Sequence, residues 1–141
     1  MSYQNILVPV DFSGINERAL SRAKELSSRP GCTITLAHVI DYMPPSYVSA
    51  ELPEIYASEP LMIERSEKHL EELRDKSGLP EAGIVVRVGR SKEMLLDIQQ
   101  AINADLIIMG KHSQTGLEKL LGSTTNGVVN KAACDVLVIP G

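Results

Sequence analysis

At 141 residues the chain has room for one core that buries about two thirds of its unfolded surface, so a single domain over 1–141 is expected. Its composition, 43% hydrophobic, 23% charged and 4% aromatic, describes a globular chain with an aliphatic core. The net charge of −4, without a Lys/Arg block, argues against nucleic acid as the main partner.

No basic N-terminal region leads into an apolar stretch, and no apolar run approaches the length of a membrane span. Neither a signal peptide nor a membrane partner is expected, and a cytoplasmic location follows as the default. Cys32 and Cys134 sit at the edges of expected strands and read as small hydrophobes rather than a redox pair. His38, His69 and His112 lack metal-ligand spacing, so no metal site is expected.

The first strand is expected over Asn5 to Val10, an apolar run ended by Asp11. A helix from Asn16 to Ser28 follows, with Ala19, Leu20, Ala23 and Leu26 at helical spacing and Arg29-Pro30-Gly31 as its stop. Cys32 to Val39 reads as the second strand. The proline-rich stretch 41–60 is too long for a simple connection and reads equally as a lid, a dimer-contacting arm or a solvated connector.

A helix over Leu61 to Lys76 turns Leu70 and Leu73 inward, and the third strand runs from Gly83 to Val88. Arg87 marks that strand as lying near the sheet edge, where its charge reaches water. Ser91 is placed to cap a helix to Ala104 that buries Met94, Leu95, Ile98, Ala101 and Ile102.

The stretch from Asp105 to Thr125 carries the functional signal. Leu106 to Met109 reads as a short buried strand, a polar loop follows Gly110, and Gly122-Ser123-Thr124-Thr125 opens the last helix, to Ala133. Hydroxyls beside the unpaired N–H groups of a helix start form a seat for an anion, with phosphate the obvious candidate. The alternative is that Gly110 and Gly122 serve only as turn residues. Asp135 to Ile139 closes the chain as the fifth strand.

Strands and helices thus alternate throughout, which implies right-handed crossovers and a parallel sheet covered on both faces. Ligands of such sheets bind outside the carboxyl ends of the strands. That rule points to Asp11, Val39 and Met109-Gly110.

NILVPVDFS at the N-terminus, LAHVI in the second strand, ADLIIMG, the GST before the last helix and the terminal CDVLVIPG together resemble the universal stress protein family along the whole chain. The resemblance implies a three-layer α/β/α sandwich, with a five-stranded parallel sheet in the order 3-2-1-4-5. It also implies a homodimer through the fifth strand, residues 136–139, and protein partners that the sequence does not identify.

One branch of the family binds ATP through Gly, two residues, Gly, nine residues, then Gly followed by Ser or Thr; another branch lacks the motif. Here Gly110 and Gly122-Ser123 match, Ser113 stands where the second glycine belongs, and eight residues rather than nine separate it from Gly122.

By similarity, Pro9, Val10 and Asp11 line the adenosine of ATP or AMP, with Asp11 near the ribose hydroxyls. Val39 packs on adenine, and Met109 and Gly110 shape the floor. Gly122, Ser123 and Thr124 hold phosphates, His112 and Ser113 lie in the phosphate loop, and Mg²⁺ accompanies the nucleotide.

Each of these residues has a plainer reading as well. Asp11 suits a turn carboxylate ending the first strand, Val39 and Met109 suit core packing, and His112 suits a solvated loop position. The Lys and hydroxyl of a GxxxxGK[ST] loop are absent, so efficient hydrolysis is not expected and a slow ATP hydrolase is the weakest reading. The function implied is a nucleotide-responsive regulatory or protective module in stress response. Its alternative is a member that binds no nucleotide and acts through dimerisation and protein partners.

Overall fold

Short β-branched runs alternate with amphipathic helices, and each becomes one layer of a three-layer α/β/α sandwich. The computed structural model describes residues 3–12, 16–41, 59–111 and 123–140. In chain order the elements are β1 (Asn5–Pro9), α1 (Asn16–Leu26), β2 (Thr33–Asp41), α2 (Glu59–Lys76), β3 (Gly83–Gly89), α3 (Ser91–Ile102), β4 (Leu106–Gly110), α4 (Ser123–Lys131) and β5 (Asp135–Ile139).

The five strands form one parallel sheet in the order β3-β2-β1-β4-β5. Because side chains alternate along a strand, each strand feeds two cores. Ile6, Val8, Ile34, Leu36, Leu106 and Ile108 face α1 and α2, meeting Ala19, Leu20, Ala23 and Leu70. Leu7, Ala37, Ile107 and Met109 face the other way, against Leu95 and Ile98 of α3 and Val128 of α4. Strands buried on both faces have no polar alternation, which is why the centres of β1 and β4 are continuous apolar runs.

Several element ends differ from the sequence-based expectation. β2 continues two residues past Val39 to Asp41, held there by its pairing with β3. Pro60 lies inside α2, in the first turn, where its missing N–H leaves no intrahelical bond unmade. Ser91 is not a cap: the N-cap of α3 is Arg90, which makes no side-chain capping bond, and the Ser91 hydroxyl instead donates to Asp41 Oδ1 at 2.8 Å. Ala101 is exposed, and Gln99, which was not expected inside, is buried with its Nε2 donating to the Ala104 carbonyl at 2.9 Å. Arg87 is exposed on the edge strand β3, as its charge requires.

The amino ends of the strands are fastened by side chains. Asp105 accepts from the backbone N–H groups of Gln4 and Asn5, both at 2.9 Å, and so ties the start of β1 to that of β4. Asn5 returns a side-chain bond to the Ile102 carbonyl. Tyr3 donates its hydroxyl to Asp135 at 2.7 Å, and that bond pushes the phenol above its ordinary pKa.

Cys32 and Cys134 lie half-buried along the same edge and are free thiols. Burial, with Asp105 adding to it at Cys32 and Asp135 and Asp105 at Cys134, pushes both up, away from the reactive thiolate form. Among the described residues no helix is long and apolar enough to cross a membrane.

Candidate functional site at the carboxyl ends of the strands

The strand order sets where a ligand can enter. From β1 the chain winds outward through β2 to β3, and then returns to the other side of β1 for β4 and β5. The direction reverses between β1 and β4. There the two connections leave the sheet on opposite faces and open a crevice between them at the carboxyl ends. Pro9 ends β1 and Val10 and Asp11 follow it into this region, Met109 and Gly110 end β4, and Val39 lies on the neighbouring β2.

Within the group, side chains and backbone play different parts. Val10 and Met109 are buried, Val10 in the core under α1 and α2 and Met109 in the core under α3 and α4, so their side chains serve packing. Val39 is half-buried against the second core. Asp11 is exposed at the rim, and Pro9 is half-buried as the last residue of β1.

The ladder between β1 and β2 ends in an unusual way. Thr33 N–H donates to the Gln4 carbonyl at 2.9 Å and Val10 N–H donates to the Ala37 carbonyl at 2.7 Å. The odd-numbered residues of β2 therefore turn their peptide groups toward β1. The next rung would run from Val39 N–H to the Val10 carbonyl. That rung is not made: the register ends at Pro9 with Ala37, and the Val10 carbonyl is 2.6 Å from Nδ1 of His38. Among the described residues the β1-facing N–H and C=O of Val39 have no hydrogen-bond partner, and they form an open donor and acceptor pair at the crevice.

The phosphate side is built from β4 and α4. Thr125, buried in the first turn of α4, donates its hydroxyl to the Gly110 carbonyl at 2.8 Å. Lys111 N–H donates to the Ile139 carbonyl at 2.9 Å, which continues the β4–β5 ladder past Gly110. With both flanks held, the helix start carrying Ser123 and Thr124 stands over the end of β4. Ser123 is exposed and Thr124 half-buried. The first N–H groups of α4 lack intrahelical acceptors, and its dipole favours an anion there by about 0.3–1 kcal/mol.

His112, Ser113 and Gly122, also expected at this site, lie outside the described residues, as does most of the 41–60 stretch. Among the described residues no three His, Cys, Asp or Glu side chains are grouped to hold a metal. Sequence reasoning missed His38 as a residue that shapes the site, and it counted Thr125 in the hydroxyl run without foreseeing its bond to Gly110. The signal for His38 was a polar side chain between Ala37 and Val39 in the second strand.

The whole chain matches known proteins. The model of the universal stress protein family matches residues 2–140. Universal stress protein A homolog 1 of Coxiella burnetii is 31% identical over 140 residues, 99% of this chain and 97% of the relative. Among solved structures, the hypothetical protein MJ0577 superposes with a TM-score of 0.81 at 29% identity, covering 100% of this chain and 98% of that one. A universal stress protein in complex with cAMP superposes with a TM-score of 0.67 at 23% identity over 99% and 98% of the two chains, a likeness of fold. With its sheet order, its alternating elements and this match along nearly its whole length, the chain belongs to the universal stress protein family.

Proposed function

We propose that this protein is an adenine-nucleotide-binding regulatory or protective module in stress response, taking ATP or AMP at the carboxyl ends of β1, β2 and β4. The observation that carries this reading is the open peptide edge of Val39 in the same crevice as the α4 start. Adenine presents an acceptor, N1, beside a donor, the N6 amino group. A residue whose N–H and C=O face the same way complements that pair, and a few such convergent polar groups are what fix a ligand in a cleft. Hypoxanthine, with O6 as acceptor and N1–H as donor, meets the same edge only when turned over, which directs its ribose elsewhere.

The remaining groups suit the rest of a nucleotide. Asp11 at the rim suits ribose hydroxyls, and Ser123, Thr124 and the N–H groups of α4 suit phosphate oxygens. Mg²⁺ enters as the counter-ion of the triphosphate. A fold neighbour was solved with cAMP, so the architecture accommodates a purine nucleotide, and the residues of this chain decide which one.

The proposal includes a cytoplasmic homodimer. β5 is an edge strand with half-buried Val136, Leu137 and Val138, and antiparallel pairing with a second copy would cover it. A second reading, action through the dimer and protein partners without nucleotide, is favoured by Ser113 in place of a glycine and the eight-residue spacing to Gly122.

Calorimetric titration of nucleotide-stripped protein with ATP and Mg²⁺ decides between the two. The expected result is one site per chain with micromolar affinity, about −8 kcal/mol. No heat, together with no thermal shift at millimolar ATP, would overturn the nucleotide reading in favour of the second.

A further inference from the structure

We propose that His38 is a positioning residue for base recognition: its Nδ1–H engages the Val10 carbonyl in place of the Val39 N–H, stops the β1–β2 ladder one rung early, and so keeps the Val39 N–H and C=O open. The inference deepens the adenine-nucleotide reading above and rests on it for the identity of the ligand.

The geometry carries the argument in three steps. A carbonyl only accepts, so the 2.6 Å contact makes Nδ1 the protonated nitrogen of His38. Val10 is 4% exposed, and a carbonyl in such surroundings needs a donor. In the absence of His38, the donor that the parallel register offers is Val39 N–H, the next rung. Closing that rung would consume the donor of the open edge.

The turn that follows is shaped for the same end. Phe12 has φ 62, a left-handed conformation that a bulky aromatic residue adopts only against a steric penalty. Its ring packs 4.3 Å from the His38 ring and 4.8 Å from that of His69 on α2, centroid to centroid. His38 therefore makes two separable contributions, a hydrogen-bond donor at Nδ1 and a ring beneath Phe12.

Two variants separate them. His38→Phe keeps a ring and loses the donor. His38→Asn loses the ring and keeps an amide N–H where Nδ1 stood. The test is amide hydrogen exchange by NMR on the nucleotide-free protein and both variants, followed by calorimetry with ATP and with inosine triphosphate.

In the wild type and His38→Asn, the Val39 amide is expected to exchange at least about tenfold faster than the Ala37 amide inside the ladder. In His38→Phe it is expected to slow by about tenfold, with ATP affinity falling about tenfold and the preference over inosine triphosphate lost. A Val39 amide already as protected as Ala37 in the wild type, or equal Val39 exchange in wild type and His38→Phe, would overturn the role of His38. If the exchange arms hold and the wild type binds no ATP, the nucleotide reading fails while the hold of His38 on the edge stands.

Discussion

The Thr125 hydroxyl donates to the Gly110 carbonyl at 2.8 Å, which fastens the first turn of α4 to the last residue of β4. One bond thereby fixes where the helix start points relative to the sheet. Thr125→Val keeps the volume and removes the donor, leaving a half-buried carbonyl without its partner. The expected cost is about 1–3 kcal/mol in urea unfolding, with weaker ATP binding in calorimetry. Unchanged values in both measurements would show that the 2.8 Å contact contributes nothing.

Ser123 opens α4 and is exposed, so its side chain can be enlarged without disturbing the core. Ser123→Tyr is expected to abolish ATP binding by filling the space before the helix start. Stability is expected to stay within about 0.5 kcal/mol of the wild type. Calorimetry and urea unfolding on the same preparation check both halves, and retained affinity would remove Ser123 from the site.

At the opposite end of the strands, Asp105 accepts two backbone N–H groups of the N-terminal segment. Asp105→Ala strips both acceptors and is expected to lower stability by about 1.5–3 kcal/mol, the range for hydrogen bonds to a charged group. ATP affinity is expected to hold, because the carboxylate sits at the amino ends of the strands. A loss of binding with folding intact would contradict that separation.

The bond from Tyr3 to Asp135 makes a pH prediction. Hydrogen bonding to the Asp135 carboxylate, followed by a smaller effect of burial, raises the phenol above its ordinary value near 10. A group whose folded pKa is raised stabilises fully below its unfolded pKa, and that part is lost as pH climbs through the folded value. The urea midpoint of the wild type should thus fall more steeply than that of Tyr3→Phe as pH rises above about 10, the phenol's ordinary value. The bond itself is exposed to solvent, so the difference should be small. Parallel curves for the two proteins would show that the bond does not persist in solution.

Much of this architecture is legible in the order of the residues. Continuous apolar runs at Ile6–Val8 and Leu106–Met109 identify strands buried on both faces, because a half-exposed strand would alternate. Helical spacing at Ala19, Leu20 and Ala23 places α1 by the same logic, and Arg87 marks an edge strand. The end of β2 is less legible: nothing in Val39-Ile40-Asp41 stops a strand, and its extent is set by the partner β3. Ser91 has the residue type of a cap, yet its hydroxyl finds a better acceptor in Asp41, fifty positions away in sequence.

The sequence by itself determined the order of the elements, their apolar faces and the residue types at the carboxyl ends, since these depend on local periodicity and on turn chemistry. The strand order 3-2-1-4-5 came from family resemblance, because alternation alone allows other windings of the same pieces. Only the tertiary structure decided which backbone groups remain unpaired. Whether Val39 faces a strand or a crevice depends on the Val10 carbonyl turning to His38, a choice between two nearby donors that no periodicity records.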